Sequence, residues 1–525
     1  MTPSLIASMS QGTIQMASRM AKLGSQMDLL QKAGITQSTG LVAIDLEAPS
    51  KKLYPVLSPL RNMLPRYRDG KGGTAVQWRA VTSIANSKAP FTYQVPVEEG
   101  KRNAVAPLVA ANYLASYKGL GIEQSATYES DFASESFEDI KALAQLTNLQ
   151  GLMIGEENLI VGGNATIALG QVTGLTLSTA TTGGAITGGS TMYVYCVALT
   201  KEGYDASSVA TGLQCVSTRN NAGGDTTQIN GGVGIVSAQA SIVVGAGNKN
   251  SVSASVTPIQ GAVAYAWFWA ITTGTAASCI LGAITSLNSV IITTNAGSST
   301  GAGVVNAGAA ALSTDYSQDA LAFDGLLSIA CGAGPQVGAT SSGSYVKILA
   351  SGIAGLGTTL TSDGAAGIVE IDAMLKDRWD NYRMGFNTLW VNSQEAATIT
   401  RLVVGNNGSP LIRLMGDMKG DINQMLGVAG GMFVKLYFNK YTGQEMNIAI
   451  HPYMPVGMIL ATADQLPYPV NEVGRVWQMR LRRDYYSIDW PQTNRAYPYG
   501  TYMDGFLQHY FPPAIGLICN IAPLP

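Results

Sequence analysis

The stretch Thr74-Ala-Val-Gln-Trp-Arg-Ala-Val-Thr-Ser-Ile84, together with residues 85–163, decides how this chain is read. Its β-branched and aromatic residues make it a strand, and Ala115-Ser-Tyr-Lys-Gly-Leu-Gly-Ile-Glu123 reads as a second one. Between them, residues 86–103 are polar, with Pro90 and Pro96 and the charges Lys88, Glu98, Glu99, Lys101 and Arg102. Ser136-Phe-Glu-Asp139 then reads as a capping box, its hydroxyl and carboxylate each placed to satisfy an orphan amide. Behind it Ile140, Leu143, Leu146, Leu149, Leu152 and Met153 recur at helical spacing until Gly162-Gly163 ends the run. About 26 residues of helix would span about 39 Å. A two-stranded arm feeding one long helix is a plan for making contacts rather than for chemistry.

Working outward, the composition narrows the classes. The chain has 525 residues, enough for several domains, and a net charge of −2, so no overall field draws it to nucleic acid. Charged residues make up only 13%, about half the usual share, while glycine reaches 60. A sparsely charged surface suits a protein that buries much of itself against partners. The five cysteines (Cys196, Cys215, Cys279, Cys331 and Cys519) are an odd number without a C-x-x-C pair. That argues against a disulfide framework or a zinc site, although a Cys196–Cys215 pairing stays open. No run reaches the roughly 18 apolar residues of a membrane span, and no secretory signal pattern opens the chain.

From Asn158 to about Leu312 only six charges occur, and Gly, Thr, Ser, Ala and Val dominate. Strand-like runs start at Met192, Ala240, Ser251 and Ser289, separated by Gly-rich turns, which reads as a β-sandwich. Ala262-Val-Ala-Tyr-Ala-Trp-Phe-Trp269 alternates so as to put Tyr265, Trp267 and Trp269 on one face. Tyr193-Val-Tyr195 with Lys201-Glu-Gly203, and Pro258 with Gly261-Ala262, look similar to fibronectin type III or immunoglobulin-like modules. Their order is reversed, leaving open one rearranged module, two truncated ones or a different sandwich. After Ala320 the pattern mixes: a helix with Ile368, Ile371, Leu375 and Trp379 on one face, a strand Thr388–Val391, and a helix capped by Asn392 or Ser393. The tail ends in a buried strand over Ile515–Ile521.

Chemistry is sought and not found. His451 and His509 are the only histidines, and neither has a nucleophile motif around it. Asp372, Asp377 and Asp380 could suggest a carboxylate group, but at helical spacing Asp377 lies beside Lys376 and Arg378, as on an ordinary solvated face. The glycine-rich turns never complete a phosphate-binding motif. The basic pairs Lys51-Lys52 and Arg482-Arg483, with Arg475 and Arg480, are too few for a nucleic-acid binder and read as inter-subunit ion pairs or weak DNA contacts. No catalytic residue, cofactor or metal ligand is assigned.

The order of parts resembles the major capsid proteins of tailed bacteriophages, with the Hong Kong 97-like capsid fold. The carriers are the segment Leu46-Glu-Ala-Pro-Ser-Lys-Lys-Leu-Tyr-Pro-Val-Leu-Ser-Pro-Leu-Arg-Asn-Met-Leu-Pro-Arg66, the Thr74–Glu123 excursion, the long helix, and the runs Asn447–Gly457 and Val476–Arg483. The resemblance implies an α+β fold. It divides the chain into an N-terminal arm (1–45), a linker (46–73), an extended loop (74–123), a peripheral domain with its spine helix (124–160), an inserted all-β immunoglobulin-like domain (161–312), an axial domain (313–445) and the closing strands of the peripheral domain (446–525). It implies a self-assembling subunit of the icosahedral head that encloses double-stranded DNA, built in the host bacterial cytoplasm and resident in the virion. The implied partners are further copies in pentamers and hexamers, portal and scaffold or decoration proteins, and packaged DNA through weak non-specific contact. Lys88, Glu98, Glu99, Lys101 and Arg102 are the expected inter-subunit contacts. From another class, an immunoglobulin-like adhesin or tail-fibre protein would need further repeats of the module and a secretion signal. A hydrolase with a carbohydrate-binding module would need paired carboxylates in a cleft.

Overall fold

A computed structural model describes residues 53–68, 72–84, 96–103, 108–134, 138–271, 274–338, 341–352, 355–405, 434–469, 471–492 and 494–524. The expected N-terminal arm, Lys51-Lys52, Lys88 and the Ser136 cap lie outside the described residues. The described residues fall into two compact units, one holding 53–55 with those of 126–143 and the other those of 56–125 with those of 144–524.

The chain begins with helix α1 (Pro59–Met63), strand β1 (Arg66–Arg68) and a two-stranded ribbon of β2 (Ala75–Ile84) and β3 (Leu108–Ser116). Next come β4 (Lys118–Thr127), α2 (Tyr128–Ser134) and the long α3 (Ile140–Gly162). The run expected as one strand from Ala115 to Glu123 is therefore two. The chain changes partner at Tyr117, because β3 pairs with β2 while β4 joins a different sheet. In the smaller unit Asp139 caps α3, its Oδ1 accepting from the Ala142 amide at 3.1 Å and its carbonyl from the Leu143 amide at 3.0 Å. The helix thus opens one residue after Asp139 and runs 23 residues to the glycine stop that the sequence marks.

Then comes an all-β module: β5 (Thr176–Ala180), β6 (Thr191–Leu199), α4 (Lys201–Ala206), the hairpin β7 (Val216–Asn220) and β8 (Thr226–Asn230), β9 (Ala240–Val243), β10 (Ser251–Ser255), β11 (Ala264–Ala270), β12 (Ile280–Thr285) and β13 (Ser289–Ile292). It is one two-sheet sandwich, with orders β13-β10-β5 and β12-β11-β6-β9. Tyr265, Trp267 and Trp269 fill the space between the sheets against Val252, Ala254 and Ile292. Each polar handle finds a partner: the Trp267 indole N–H donates to Thr285 Oγ1 at 2.8 Å, the Trp269 indole N–H to the Thr294 carbonyl at 3.1 Å, and the Ile259 amide donates to the Tyr265 hydroxyl at 2.9 Å. The opposite face of β11, Ala264, Ala266 and Phe268, is covered as well, by Leu213, Leu281 and Leu312. Double coverage is why β6 and β11 read as nearly unbroken apolar runs. The module's two ends meet. The Asp319 amide donates to the Asn164 carbonyl at 2.8 Å, and the Gly325 amide to the Gly163 carbonyl at 2.9 Å. The neck therefore lies at Asn164 and Asp319, beyond the Leu312 that the composition marks. All five cysteines are free thiols, Cys196 and Cys215 included.

The rest of the chain runs α5 (Leu326–Cys331), β14 (Tyr345–Ile348), α6 (Val369–Tyr382), β15 (Thr388–Val391), α7 (Ser393–Gly405), β16 (Leu436–Phe438), β17 (Glu445–Ile450), β18 (Ile459–Thr462), β19 (Trp477–Asp489), β20 (Ala496–His509) and β21 (Ile515–Cys519). Asn392 caps α7, its Oδ1 accepting from the Gln394 amide at 3.1 Å. A mixed six-stranded sheet, β14-β21-β18-β15-β17-β16, shares a core with α5, α6 and α7, and a four-stranded sheet has the order β1-β19-β20-β4. Within the run 446–525 expected as closing strands, β18 and β21 pair in the six-stranded sheet together with β17, whereas β19 and β20 pair in the four-stranded one. The physical reason shows in their burial. β18 and β21 are buried at every position, as central strands covered on both faces must be, while β19 alternates over its first half.

Truncating the centre of the sandwich, Trp267→Ala, should cost roughly 3–5 kcal/mol, by lost burial and the cavity left behind. Denaturant unfolding followed by tryptophan fluorescence and far-UV circular dichroism measures it; a loss under about 1 kcal/mol would contradict the packing described.

Candidate assembly site

The long helix α3 carries two adjacent carboxylates, Glu156 and Glu157, both fully buried. Burying an ion costs several kcal/mol unless its lone pairs are filled, and here they are. Glu157 Oε1 accepts from the Leu60 amide at 2.9 Å and Oε2 from the Arg61 amide at 2.6 Å, while His451 Nε2 lies 2.6 Å from Oε1. Glu156 Oε1 meets Arg66 Nη1 at 2.6 Å, and the Tyr485 hydroxyl donates to Oε2. Arg66 reaches on to Asp484 at 2.8 Å, and the Arg61 and Arg66 guanidinium groups lie 5.2 and 4.6 Å from the centre of the Tyr485 ring. Burial opposes the Arg66 charge, but Asp484 and Glu156 outweigh it and hold the guanidinium more firmly protonated than usual. Burial, with Glu156 adding to it, pushes the Tyr485 phenol up to about 12. One helix thus clamps residues 60–66, the β17–β18 connection and β19. His451 is a structural histidine within this clamp.

The ribbon β2–β3 is rooted at a second joint. The Trp78 indole N–H donates to the His509 carbonyl at 2.7 Å, and Tyr113, 1% exposed, packs edge-on to the His509 ring at 4.9 Å. The Leu114 amide donates to the Pro335 carbonyl at 3.0 Å. His509 Nε2 lies 2.9 Å from the Gln336 carbonyl oxygen, so it carries the proton, and Nδ1 is left without a partner. A second proton would be buried with no acceptor, and burial accordingly lowers the His509 pKa to about 4. On the far side of this root Val81 is 58% exposed, and Leu114, within the root, is 46% exposed.

Of the five residues expected to make contacts, Lys88 lies outside the described residues, and the other four sit on a fully exposed turn at 98–102. The Lys101 amide closes that turn on the Glu98 carbonyl at 3.0 Å, with Gly100 at φ +77° in the left-handed region that glycine tolerates. Glu98 and Lys101 pair with each other there. Glu99 and Arg102 have no charged partner among the described residues. Several basic residues expected to face other chains are satisfied within this one: Arg482 pairs with Asp504 at 2.9 Å, Arg475 with Asp464 at 3.4 Å, and Arg483 lies over Tyr486. Asp372 is buried and holds Lys440 at 2.7 Å and the Tyr437 hydroxyl at 2.8 Å. Sequence reading missed Glu156, Glu157 and Arg66. The available signal was the Glu-Glu pair interrupting an apolar helix at buried positions. Among the described residues no helix is long and apolar enough to cross a membrane, and no cluster of His, Cys, Asp and Glu is placed to hold a metal ion.

Two measurements check these joints. Arg66→Ala should cost roughly 3–5 kcal/mol in denaturant unfolding, because it removes the nearer cation from the buried Glu156 and leaves only Arg61 Nε at 3.6 Å. For His509 the folded pKa lies below the unfolded value of about 6.5, so the unfolded chain binds more protons between pH 6.5 and 4. Stability from this group is full above about pH 6.5 and falls, by about 3 kcal/mol in total, as the pH drops to about 4. Comparing the unfolding midpoints of the parent and His509→Gln across that window isolates it; identical pH profiles would refute the assignment.

No protein-family model matches the chain, and no curated protein matches it. Solved structures to which the chain is similar include three capsids. The capsid of Myoviridae phage XM1 is 8% identical over 93% of this chain and 99% of that one, with a TM-score of 0.40. The capsid of the native GTA particle is 8% identical over 92% and 96%, with a TM-score of 0.40. The capsid of cyanophage Pam1 is 10% identical over 93% and 98%, with a TM-score of 0.39.

Proposed function

We propose that this chain is the major capsid protein of a tailed phage, a subunit that self-assembles into the icosahedral head around double-stranded DNA. The observation that carries the reading is the bare ribbon β2–β3. Two strands alone are marginal in water at best, and these expose Val81 beyond an aromatic root and Leu114 within it. Such a ribbon is explained by a neighbouring surface that covers it. The turn with Glu98, Glu99, Lys101 and Arg102, together with Lys88, then makes the polar contacts at the far end. Repetition of that head-to-tail contact closes rings of five and six, since heterologous interfaces generate rings when the rotation closes.

In this reading the six-stranded sheet is the axial domain, and the four-stranded sheet with α3 is the peripheral one. The sandwich is a single immunoglobulin-like module in permuted order. Its support is the strand order, in which β6 and β9 take the place of the last two strands of such a module and β10 to β13 that of the earlier ones. Portal and scaffold or decoration proteins are the further partners, contact with packaged DNA is weak, and the assembled chain resides in the virion after assembly in the bacterial cytoplasm. The role is structural rather than enzymatic.

Removing residues 87–102 should leave a subunit that folds, by circular dichroism and cooperative unfolding, but forms no closed particles under the electron microscope. The intact chain should give shells or rings of five and six. Normal particles from the deletion would overturn the ribbon's role, and fibres or trimers from the intact chain would overturn the capsid reading.

A further inference from the structure

Three sulfur-bearing side chains meet around one small closed space at the seam between the sandwich and the six-stranded sheet. Ile348 of β14 and Cys519 of β21 are partners in the parallel ladder, and Met458 stands one step beyond the pair Ile459–Ile518, opposite Cys519. Residues opposite one another on neighbouring strands share a face, so the Cys519 thiol and the Met458 thioether lie side by side there. Cys331, the last residue of α5, bounds the space from a third element. The two thiols sense each other: burial pushes the Cys519 thiol well above its usual range, and a charge on Cys331 raises it further. The space measures about 20 Å³, room for one water-sized occupant. Water suits it poorly. A buried water typically makes about three hydrogen bonds. Here the Asn288 and Asn520 amides are spent on each other and on the Val256 and Leu349 carbonyls, and the Tyr265 hydroxyl accepts from the Ile259 amide. Ser286 is the other oxygen-bearing side chain in the wall. What remains is sulfur, and thiolate with thioether is the donor set that selects a soft cation.

We propose that this space binds one Cu(I) ion, held by Cys331 Sγ, Cys519 Sγ and Met458 Sδ. Two S–H bonds break and two Cu–S bonds form, both protons passing to solvent, while the thioether coordinates as a neutral third ligand. Copper stays in the +1 state, so no oxidant or reductant takes part. The product carries one negative charge where a bare dithiolate would carry two, so the ion lowers the cost of burying both sulfurs as thiolates. Zinc is a worse match. A structural zinc site closes with four ligands drawn from Cys, His or carboxylate, and among the described residues neither a histidine nor a carboxylate lines this space. The ligands come from α5, β21 and the entry to β18, so the bound ion ties that helix to the sheet beside Tyr265 of the sandwich. The site is independent of what the chain assembles into.

Native mass spectrometry of the full chain tests it. The chain is produced in copper-supplemented cells, so that the ion can enter while the seam closes, and is purified without oxygen. One copper per chain is expected, retained against bicinchoninate, a Cu(I) chelator. Cys331→Ala and Cys519→Ala should each weaken retention at least about 100-fold, and Met458→Leu about tenfold. Leucine conserves the volume of methionine, so the Met458→Leu result reads coordination rather than packing. Cys215→Ala, with an unchanged circular dichroism spectrum, should retain copper like the parent, which separates the site from adventitious binding to any thiol. A parent chain that holds no copper, either as purified or after titration with Cu(I) alone, overturns the proposal whatever the variants do. Copper held equally well by Cys519→Ala, or by Met458→Leu, overturns the assigned ligands.

Discussion

Two carboxylates buried side by side in the last third of α3 impose the strictest constraint on this fold. An ionised Glu156 or Glu157 in an apolar interior is tolerable only when every oxygen is met, and the partners come from sequence-distant places: the Leu60 and Arg61 amides, Arg66, His451 and Tyr485. Hydrophobic burial alone would accept many registers between α3 and its neighbours. Five hydrogen-bonding partners at fixed positions accept one. The clamp thereby sets where β1 enters its sheet beside β19, and so where that sheet begins.

The sandwich follows a different rule. Its specificity comes from shape rather than charge, with three large rings in one layer, each anchored by a single polar atom, and small alanines on the other face of β11. It nevertheless does not stand apart. Asn288 and Asn520 exchange hydrogen bonds with each other, and Asn520 Nδ2 also reaches the Leu349 carbonyl at 2.6 Å. The neck at Asn164 and Asp319 fixes the module's ends, while these amides fix its side against the six-stranded sheet.

Much of this was legible in the sequence where burial and periodicity coincide. The strands at Met192, Ala240, Ser251, Ala262 and Ser289, the facing of Tyr265, Trp267 and Trp269, and the glycine stop of α3 all arise from side-chain pattern. β5, β7 and β8 escaped because Thr, Ser, Gln and Asn at exposed positions carry no apolar alternation; backbone pairing alone makes them strands. The division of the last strands between two sheets escaped for a deeper reason. A strand's own residues report how deeply it is buried but not which strand lies beside it, and β15 running parallel to β17 while antiparallel to β18 leaves no local mark. The site was hidden likewise, since Arg66 and Glu156 are neighbours only after folding.

The order of the four-stranded sheet bears on how the protein is made. Among the described residues β1 pairs with β19 and β4 with β20, strands that leave the ribosome several hundred residues later. Until then the outer strands have no sheet to join, and the aromatic root of the ribbon lacks His509 to pack on. The sandwich, closed at its own neck, has all of its strands available well before that. The nascent polypeptide therefore has the strands of its interior module to hand first, and the support of its ribbon last. Such timing leaves the ribbon's root unset until β20 has emerged.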